Sequence, residues 1–251
     1  MQTQTQTQTK NFNVYDEENK AVQEAYSLLT ANVHFSNNNK SIKTVTIASC
    51  MPEVGKTTIA INLAISMARS GWKTLLVDTD IRKPGNTKRI SDEATQGVSD
   101  IIEGKANISE AICTTNIKNL VYLSCGKNNS NPIELLCSAK FEKFIEEVKE
   151  GYDFVIFDTP TLSSVIDGAL VASKTDATLL VAEMGSTKLT TLKRSKEQLE
   201  KANANILGVV LNKVKKRDYQ KYVQSYNYFF DINKFSKKKS KIKHINGEIV
   251  N

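Results

Sequence analysis

Residues 49–58, with the sequence SCMPEVGKTT, follow an apolar run and open a helical pattern. Their GKT core is that of a Walker A phosphate-binding loop, in the strand–loop–helix context that this motif requires. In such a loop, backbone N–H groups and the positive end of the helix bind phosphate oxygens. We expect Lys56 to reach the β- and γ-phosphates and the Thr57 hydroxyl to bind Mg²⁺. The residues expected to surround the nucleotide are Val54, Gly55, Lys56, Thr57 and Thr58.

The first glycine of the usual GxxxxGK pattern is missing, because Cys50 occupies that position. A chance GKT sequence at the start of a helix is therefore the competing interpretation of this loop. The strand before the loop and the acidic motifs further along the chain make that alternative the weaker one. Nucleotide binding is the strongest single inference from the sequence.

Two further apolar runs end in carboxylates. Asp78 and Asp80 follow the run 74–77 in VDTDIRKP, and Asp158 follows the run 154–157 in FDTP. An acid at the end of a strand beside a phosphate loop can hold Mg²⁺ directly or through water. Because side chains alternate along an extended segment, Asp78 and Asp80 can point into one site, where one binds metal and the other accepts a proton. A single strand-terminal Asp is often only a turn residue, but three in matching contexts argue against that explanation.

Four of the eight tyrosines lie within ten residues, in the sequence DYQKYVQSYNYFF. They keep neither a helical nor a strand period, and the polar residues between them argue against a core. Composition alone leaves three interpretations open: an aromatic helix face, a surface that stacks nucleic-acid bases beside lysines, and a set of phosphoacceptor hydroxyls. The four residues are Tyr219, Tyr222, Tyr226 and Tyr228.

Short β-branched runs alternate with helical patterns along the chain. The predicted strands are 44–48, 74–77, 120–123, 154–157, 178–182 and 206–211, and the predicted helices are 17–35, 56–69, 139–149, 166–172 and 188–202. Strands that alternate with helices of this length indicate βαβ units. We therefore predict a single α/β domain of the P-loop NTPase type, with a mostly parallel sheet flanked by helices and ligands at the carboxyl ends of the strands.

The composition of the 251 residues, 40% hydrophobic and 24% charged, is that of a globular protein. No apolar stretch is long enough to cross a membrane and the N-terminus lacks the features of a secretory signal, so we expect a cytoplasmic protein. The four cysteines show no CxxC spacing, and the chain has two histidines. These counts argue against a zinc site, a disulfide framework and a hydrolase with a histidine base.

The formal net charge of +7 is distributed unevenly. Residues 213–243 contain 11 basic and two acidic residues, whereas residues 1–212 contain 23 basic and 24 acidic residues. The excess positive charge therefore belongs to the C-terminal segment. Its Lys-rich part, 237–243, is most simply a solvated tail, and the alternatives are contact with anionic lipid or with nucleic acid.

The chain resembles the bacterial tyrosine kinases, in particular the cytoplasmic subunits of the capsular and exopolysaccharide type. The resemblance lies in five features in the same order: PEVGKT, LLVDTDIRKP, FVIFDTP with Asp167 shortly after it, GVVLNKV, and the tyrosine-rich tail. The segments NPIELLCSAKF and EAYSLLTANV are also similar to that family, and the similarity covers about residues 15–230.

This resemblance implies a kinase that uses ATP and Mg²⁺ to phosphorylate tyrosines in its own tail, in trans, within a ring of like subunits. It also implies a membrane adaptor that recruits the kinase to the inner face of the cell membrane and completes its active arrangement. A protein-tyrosine phosphatase would reverse the modification, and the cellular role would be the control of polysaccharide synthesis and export. No nucleic-acid partner is expected.

The resemblance also assigns roles to individual residues. The catalytic residues would be Lys56, Asp78, Asp80 and Asp158, and the Mg²⁺ ligands would be Thr57, Asp78 and Asp158. Asp80 is the residue expected to activate the attacking hydroxyl. Asn212, which follows the last predicted strand, would contact the adenine. The phosphoacceptors would be Tyr219, Tyr222, Tyr226 and Tyr228.

Two departures from the family pattern qualify these implications. The family's loop reads PGEGK, but Glu53 and Val54 occupy the GE positions here, and a residue other than glycine at position 53 restricts positive φ and adds an acid near the phosphates. The family's N-terminal helix reads ExxRxxR; Glu24 is present, but Ser27 and Thr30 replace both arginines. Neither hydroxyl can copy the bidentate fork of arginine, so we expect ring assembly to be weakened.

Two alternative functions would use the same nucleotide site. A switch ATPase of the MinD/ParA type shares the fold, but such proteins carry a signature lysine where this chain has Met51, and the tyrosine cluster favours the kinase. The other alternative is a weakly active, ATP-binding regulatory subunit, which would be consistent with Glu53 and the missing arginines.

We expect four segments along the chain. They are a disordered polar N-terminus (1–14), an N-terminal helix that is a candidate oligomer interface (15–40), the P-loop kinase domain (41–213) and a flexible Tyr-rich and Lys-rich C-terminal tail (214–251).

Overall fold

The computed structural model describes residues 9–10, 12, 20–36, 42–82, 96–126, 131–215 and 218. The chain divides into two compact units, Met1–Asn212 and Lys213–Asn251, and the elements below all belong to the first. Its strands are β1 (Thr9–Lys10), β2 (Thr44–Ser49), β3 (Thr74–Asp78), β4 (Ile112–Thr115), β5 (Leu120–Leu123), β6 (Phe154–Asp158), β7 (Ala177–Glu183) and β8 (Ile206–Asn212).

Helices connect most of these strands. They are α1 (Lys20–Phe35), α2 (Lys56–Arg69), α3 (Val98–Glu103), α4 (Ile108–Ala111), α5 (Pro132–Cys137), α6 (Ala139–Gly151), α7 (Asp167–Ala172) and α8 (Leu189–Lys201). Within the described ranges, none of these helices has both the length and the apolar character needed to span a bilayer.

The strands form one sheet in the order β1-β4-β5-β3-β6-β2-β7-β8. The six strands from β5 to β8 in this order run parallel, β4 is antiparallel to β5, and β1 is parallel to β4. Strands β2, β3 and β6 are buried at every residue. This burial on both faces explains the continuous apolar runs 75–77 in β3 and 154–157 in β6. The predicted mostly parallel α/β sheet is therefore confirmed.

Helices cover both faces of this sheet. On one face, β-strand residues such as Ile47 pack with Leu63 of α2 in a large apolar cluster. On the other face, Phe157 packs with Phe141 of α6, and a smaller cluster includes Leu199 of α8. The alternation of side chains along each strand assigns neighbouring residues to opposite clusters, so two layers of helices hold the strands in place.

The topology brings three strand ends together at one edge of the sheet. The loop 50–55 leaves the carboxyl end of β2, and β6 lies between β2 and β3. In the register of β3 and β6, Asp78 lies directly opposite Asp158. The residues singled out in the sequence therefore meet where an open parallel sheet binds its ligands.

The predicted element bounds agree with the structure to within two residues wherever both ends are described. Strand 120–123 and helix 56–69 have the bounds that the sequence predicts. The short elements β1, β4, α3, α4 and α5 were not predicted, and none of them is longer than six residues. Helix α1 begins at Lys20, and residues 17–19 of the predicted helix lie outside the described residues.

The structure differs from the expectation of a disordered N-terminus at the residues it describes there. β1 pairs with β4, and Phe12 is 3% exposed, with its ring 5.9 Å from that of Tyr122 in a T-shaped contact. The Phe12 N–H also donates to Oδ1 of Asn116 at 2.9 Å. The physical reason is the burial of Phe12, the one aromatic side chain in this polar tract, because burying a Phe ring gains about 1.5–3 kcal/mol.

Candidate active site

Two residues in the left-handed region shape the loop between β2 and α2. Gly55, directly before α2, has φ 90°, and a Cβ atom at this position would lie 2.2 Å from Nδ2 of Asn212. Conformation and space therefore both require glycine there. Glu53 has φ 60°, a conformation that costs a residue with a Cβ atom about 1–2 kcal/mol.

Glu53 thus adopts the backbone conformation for which the family's loop carries glycine. Its side chain is exposed, whereas that of the next residue, Val54, is buried at 2% exposure. The loop keeps the strained conformation because the buried side chain of Val54, directly after Glu53, anchors it in the domain. The sequence departure noted at this position therefore has a local energetic consequence.

Cys50, at the first Walker glycine position, is fully buried. Its side chain packs with Ala48 and Leu162 in the apolar cluster beside α8. Burial raises the pKa of the Cys50 thiol, and a hydrogen bond with Ser195 opposes that shift without cancelling it. The side chain belongs to the core, which explains why this loop forms without a glycine at position 50.

The N-terminal turn of α2 and the end of β6 share a set of polar contacts. The Lys56 ammonium forms an ion pair with Oδ1 of Asp158, and the Thr57 hydroxyl donates to Oδ2 of Asp158 at 2.6 Å. The Lys56 ammonium also donates to Oγ1 of Thr57 at 3.3 Å. The side chains of Lys56 and Asp158 are only 12% and 8% exposed. The structure therefore brings both Walker A side chains onto the Walker B carboxylate.

A second carboxylate lies in the same buried position on the neighbouring strand. Burial and, after it, the negative charge of Asp158 together raise the pKa of Asp78 to about 7, against the opposing effects of the Asp80 N–H and of Lys56. The Asp80 N–H donates to Oδ1 of Asp78 at 2.9 Å. Because ionised Asp78 lacks a full counter-charge, this position favours the arrival of a cation.

Asp80 itself is half-buried. Arg82, two residues further along, forms an ion pair that was not predicted as part of the site. Nε and Nη2 of Arg82 donate to the two carboxylate oxygens of Asp167 at 2.7 and 2.9 Å. Asp167 is the first residue of α7, and its side chain is 1% exposed. This bidentate contact ties the loop after β3 to the start of α7 and so holds Asp80 next to Asp78.

The sequence contained a signal for this pair. Arg82 follows Asp80 by two residues in DIRKP, and Asp167 is the acid that follows FVIFDTP in the family pattern. Sequence spacing could not join them, because 85 residues separate the two positions and their contact depends on the sheet order.

Asn212, at the end of β8, also reaches the loop. Its Nδ2 donates to the carbonyl oxygen of Val54 at 2.8 Å. The role of Asn212 as an adenine contact stays a prediction, but its position beside Gly55 places it at the nucleotide loop. Residues Thr57 and Thr58 lie in the first turn of α2, whose N–H groups have no partners within the helix.

The remaining predicted functional residues fall into two groups. Tyr219, Tyr222, Tyr226 and Tyr228 lie outside the described residues. In α1, Ser27 is exposed, whereas Thr30 is buried and its hydroxyl donates to Oγ of Ser66 in α2 at 3.0 Å. Thr30 therefore contributes to packing within its own domain.

The donor set suits a magnesium nucleotide. Thr57, Asp78 and Asp158 offer one hydroxyl and two carboxylates, which are the oxygen ligands that Mg²⁺ prefers. Across the residues that the structure describes, no group of three or more His, Cys, Asp or Glu side chains forms a metal site made of protein ligands alone. Mg²⁺ binds through one or two carboxylates and completes its shell with water and substrate phosphates.

Comparison with known proteins gives the same family from sequence and from structure. A model of the AAA domain family matches residues 42–206. The chain is 38% identical over 198 residues to the tyrosine-protein kinase CpsD of Streptococcus pneumoniae serotype 4, covering 78% of this chain and 86% of that protein. The crystal structure of the chimerical protein CapA2B2 superposes with a TM-score of 0.75 at 30% identity, covering 82% of this chain and 93% of that one.

The cell division ATPase MinD of Pyrococcus furiosus is also similar, with a TM-score of 0.59 at 27% identity over 70% of this chain and 75% of that one. The P-loop fold that these proteins share implies nucleotide binding. Identity and coverage are higher for CpsD and CapA2B2 than for MinD, and the TM-score of CapA2B2 is higher than that of MinD. The chain therefore belongs to the family of bacterial tyrosine kinases and is a protein-tyrosine kinase of that family.

Proposed function

We propose that this chain transfers the γ-phosphoryl group of ATP, with Mg²⁺, to tyrosines of its own C-terminal cluster, Tyr219, Tyr222, Tyr226 and Tyr228. The observation that carries the proposal is the convergence of Lys56, Thr57 and Asp158 on one another, with Asp78 opposite Asp158 at the end of the adjacent strand. This arrangement places one cation, one hydroxyl and two carboxylates at the start of a helix.

The backbone N–H groups at the start of α2 would hold the phosphates, and Lys56 would leave its pairing with Asp158 to neutralise the β- and γ-phosphate oxygens. Thr57, Asp158 and Asp78 would hold Mg²⁺, which neutralises charge on the β- and γ-oxygens when bound. With the cation present, Asp78 would be ionised at neutral pH, because an adjacent positive charge lowers a carboxyl pKa.

The transfer needs a base near the attacking hydroxyl, and Asp80 is our candidate. The tyrosine oxygen forms a bond to the γ-phosphorus, the bond from that phosphorus to the β–γ bridging oxygen breaks, and ADP leaves. The phenolic proton passes to the Asp80 carboxylate. Asp80 is half-buried and its backbone N–H donates to Asp78, so it would lie beside the proposed metal ligands without being one of them.

We also propose that the kinase acts at the membrane on polysaccharide synthesis and export. A membrane adaptor would recruit it to the inner face of the cell membrane, and a protein-tyrosine phosphatase would reverse its modification. Ring assembly would be weak, because Thr30 hydrogen-bonds within its own domain and Ser27 offers only a hydroxyl, so neither supplies an arginine-like contact to a neighbouring subunit.

A switch ATPase with this fold, such as MinD, would use the same kind of site for a different reaction. It would hydrolyse ATP without modifying tyrosine. Met51 at the signature-lysine position and the tyrosine cluster are the features that favour transfer to tyrosine over transfer to water.

The test is phosphate transfer by the full chain. The protein is incubated with ATP and Mg²⁺, with and without the cytoplasmic segment of its membrane adaptor, and the phosphate on residues 219–228 is counted by mass spectrometry. Lys56→Ala should remove the signal, whereas Lys149→Ala, at a lysine that pairs with Asp176, should keep it. ATP hydrolysis without tyrosine phosphate would favour the switch ATPase. Labelling that survived Lys56→Ala would show that the active site lies elsewhere.

A further inference from the structure

The peptide between Val54 and Gly55 lies in a part of the phosphate loop whose backbone conformation is unfavourable for one of its residues. Val54 stands between two residues with positive φ, Glu53 at 60° and Gly55 at 90°. Among these only glycine adopts that conformation readily. The carbonyl oxygen of Val54 accepts its hydrogen bond from Nδ2 of Asn212, 158 residues further along the chain.

Asn212 is well placed to hold that peptide. Its own carbonyl accepts a hydrogen bond from the Met184 N–H at 3.0 Å, and it pairs in register with Glu183 of β7. The side-chain amide therefore projects from a backbone that the sheet fixes. Its Nδ2 also fills the space in which a Cβ at position 55 would lie.

The direction of one N–H group follows from this contact. In a trans peptide the C=O and N–H bonds point in opposite directions, so a Val54 carbonyl held toward Asn212 turns the Gly55 N–H away from it. That N–H belongs to the series of backbone donors that a phosphate loop presents to its anion. A rotation of this peptide would remove a donor from the series.

We infer that Asn212 is a positioning residue for the phosphate loop, which it holds in its phosphate-binding shape through the Val54 carbonyl against the strain at Glu53. The inference rests on the proposed nucleotide chemistry and makes a claim different from adenine contact. An adenine contact acts on the base alone, whereas a support for the loop acts on any triphosphate.

Ligands with and without a base separate the two roles. Binding of inorganic tripolyphosphate, ATP and GTP to the full chain is measured by calorimetry. Asn212→Ala should weaken the binding of all three ligands about five- to tenfold, because it removes one hydrogen bond that orients a donor. Asn212→Asp keeps the size of the side chain but presents an oxygen to the Val54 carbonyl. It should weaken the binding of tripolyphosphate at least as much as Asn212→Ala does.

Asn205 provides the matched control. It lies just before β8, and its Nδ2 donates to the backbone carbonyl of Asp176 at 2.6 Å, at the opposite end of the strand from Asn212. Asn205→Ala removes the same kind of hydrogen bond. It should lower the melting temperature while leaving tripolyphosphate binding within about twofold of the wild type.

The strain at Glu53 gives a second test of the same idea. In a Glu53→Gly background the loop adopts its shape more readily, so Asn212→Ala should reduce tripolyphosphate binding by a smaller factor than in the wild type. Equal factors in the two backgrounds would overturn the link between Asn212 and the strain.

The outcomes distinguish this inference from the proposed function. If wild-type protein binds neither ATP nor tripolyphosphate, the proposed nucleotide chemistry fails and the inference fails with it. If the wild type binds both and the folded Asn212→Ala and Asn212→Asp variants bind tripolyphosphate equally well, only the inference fails. Loss of ATP binding alone, with tripolyphosphate unchanged, would identify Asn212 as an adenine contact.

Discussion

Lys56 and Asp158 form an ion pair at the carboxyl ends of the strands, and Lys149 and Asp176 form another at the amino ends. Asp176 accepts the Lys149 ammonium at 2.6 Å and also two backbone N–H groups, from Lys43 at 3.0 Å and from Thr44 at 2.9 Å. Burial alone would raise the pKa of Asp176, but these hydrogen bonds outweigh it and hold the pKa below its usual value.

The carboxyl end is the reverse case. There Asp158 shares its one ammonium with a second buried acid on the next strand, and burial with that neighbouring charge raises the pKa of Asp78 to about 7. One end of the sheet thus has a compensated carboxylate that stabilises the fold. The other carries more acid than the fold neutralises, an arrangement suited to binding a cation at some cost in stability.

Replacing the acid at each end of the sheet should separate activity from stability. The largest effect on activity is expected at the carboxyl end. Asp158→Asn should lower the rate of tyrosine phosphorylation at least about 100-fold, because it removes a charge from the metal and phosphate site. Asp176→Asn should leave that rate within about twofold when measured well below its melting temperature. Initial rates by mass spectrometry check both; similar losses in the two variants would contradict the division between the ends.

Stability should show the opposite ranking. Asp176→Asn should reduce the free energy of unfolding by about 1–3 kcal/mol, because it removes the charge from a carboxylate with three hydrogen-bond donors. The control is Glu142→Gln, at an acid whose ion pair with Lys174 lies at the surface and whose side chain is 59% exposed. That change should cost at most about 0.5 kcal/mol in urea unfolding. Equal losses would show that Asp176 has no special role.

The two acids should also give opposite pH dependences. The folded pKa of Asp78 lies above its ordinary value of 3.8, so the folded chain keeps a proton there that the unfolded chain loses, and stability falls as pH rises from about 4 to about 7. Asp176 has a lowered folded pKa, so its contribution is present above about pH 4 and is lost as pH falls through the folded value.

Asp78→Asn tests the first of these windows. In the absence of Mg²⁺ and nucleotide, it should remove the decline between pH 4 and 7 and raise the free energy of unfolding at pH 8 by about 1–2 kcal/mol. Urea unfolding of the wild type and the variant across this range is the measurement. A constant difference between the two curves would mean that Asp78 does not titrate in this window.

The sequence predicted the arrangement at the carboxyl end of the sheet better than that at the amino end, for a physical reason. Lys56, Asp78 and Asp158 stand in motifs whose spacing along the chain matches a local structure, so each could be placed at a strand or helix end. Asp176 and Lys149 carry no such motif, and their contact depends on how α6 and β7 approach β2.

Short elements were missed for a related reason. β4 is partly exposed and has four residues, too few to show a period, and β1 becomes a strand only by pairing with it. The strain at Glu53 was anticipated only as a restriction on φ. That Glu53 adopts the left-handed conformation in spite of this restriction depends on the burial of Val54, which the sequence does not reveal.

Backbone strain provides the smallest contrast between functional and structural regions. Glu53 in the phosphate loop and Asn203 after α8 have nearly the same φ, 60° and 58°. Asn tolerates this conformation because its short side chain hydrogen-bonds locally, whereas Glu does not. The residue type therefore suits the backbone at the end of α8 and opposes it in the loop.

Exchanging the residue types should reverse the two effects. Glu53→Asn should raise the free energy of unfolding by about 0.5–1 kcal/mol, and Asn203→Glu should lower it by about the same amount, both measured by urea unfolding. Glu53→Gln keeps the strain and removes only the charge, so it should leave stability within about 0.3 kcal/mol of the wild type. If Glu53→Gln stabilised as much as Glu53→Asn, the cost at this position would be electrostatic. The loop would then resemble Asp78, where excess acid rather than backbone conformation lowers stability.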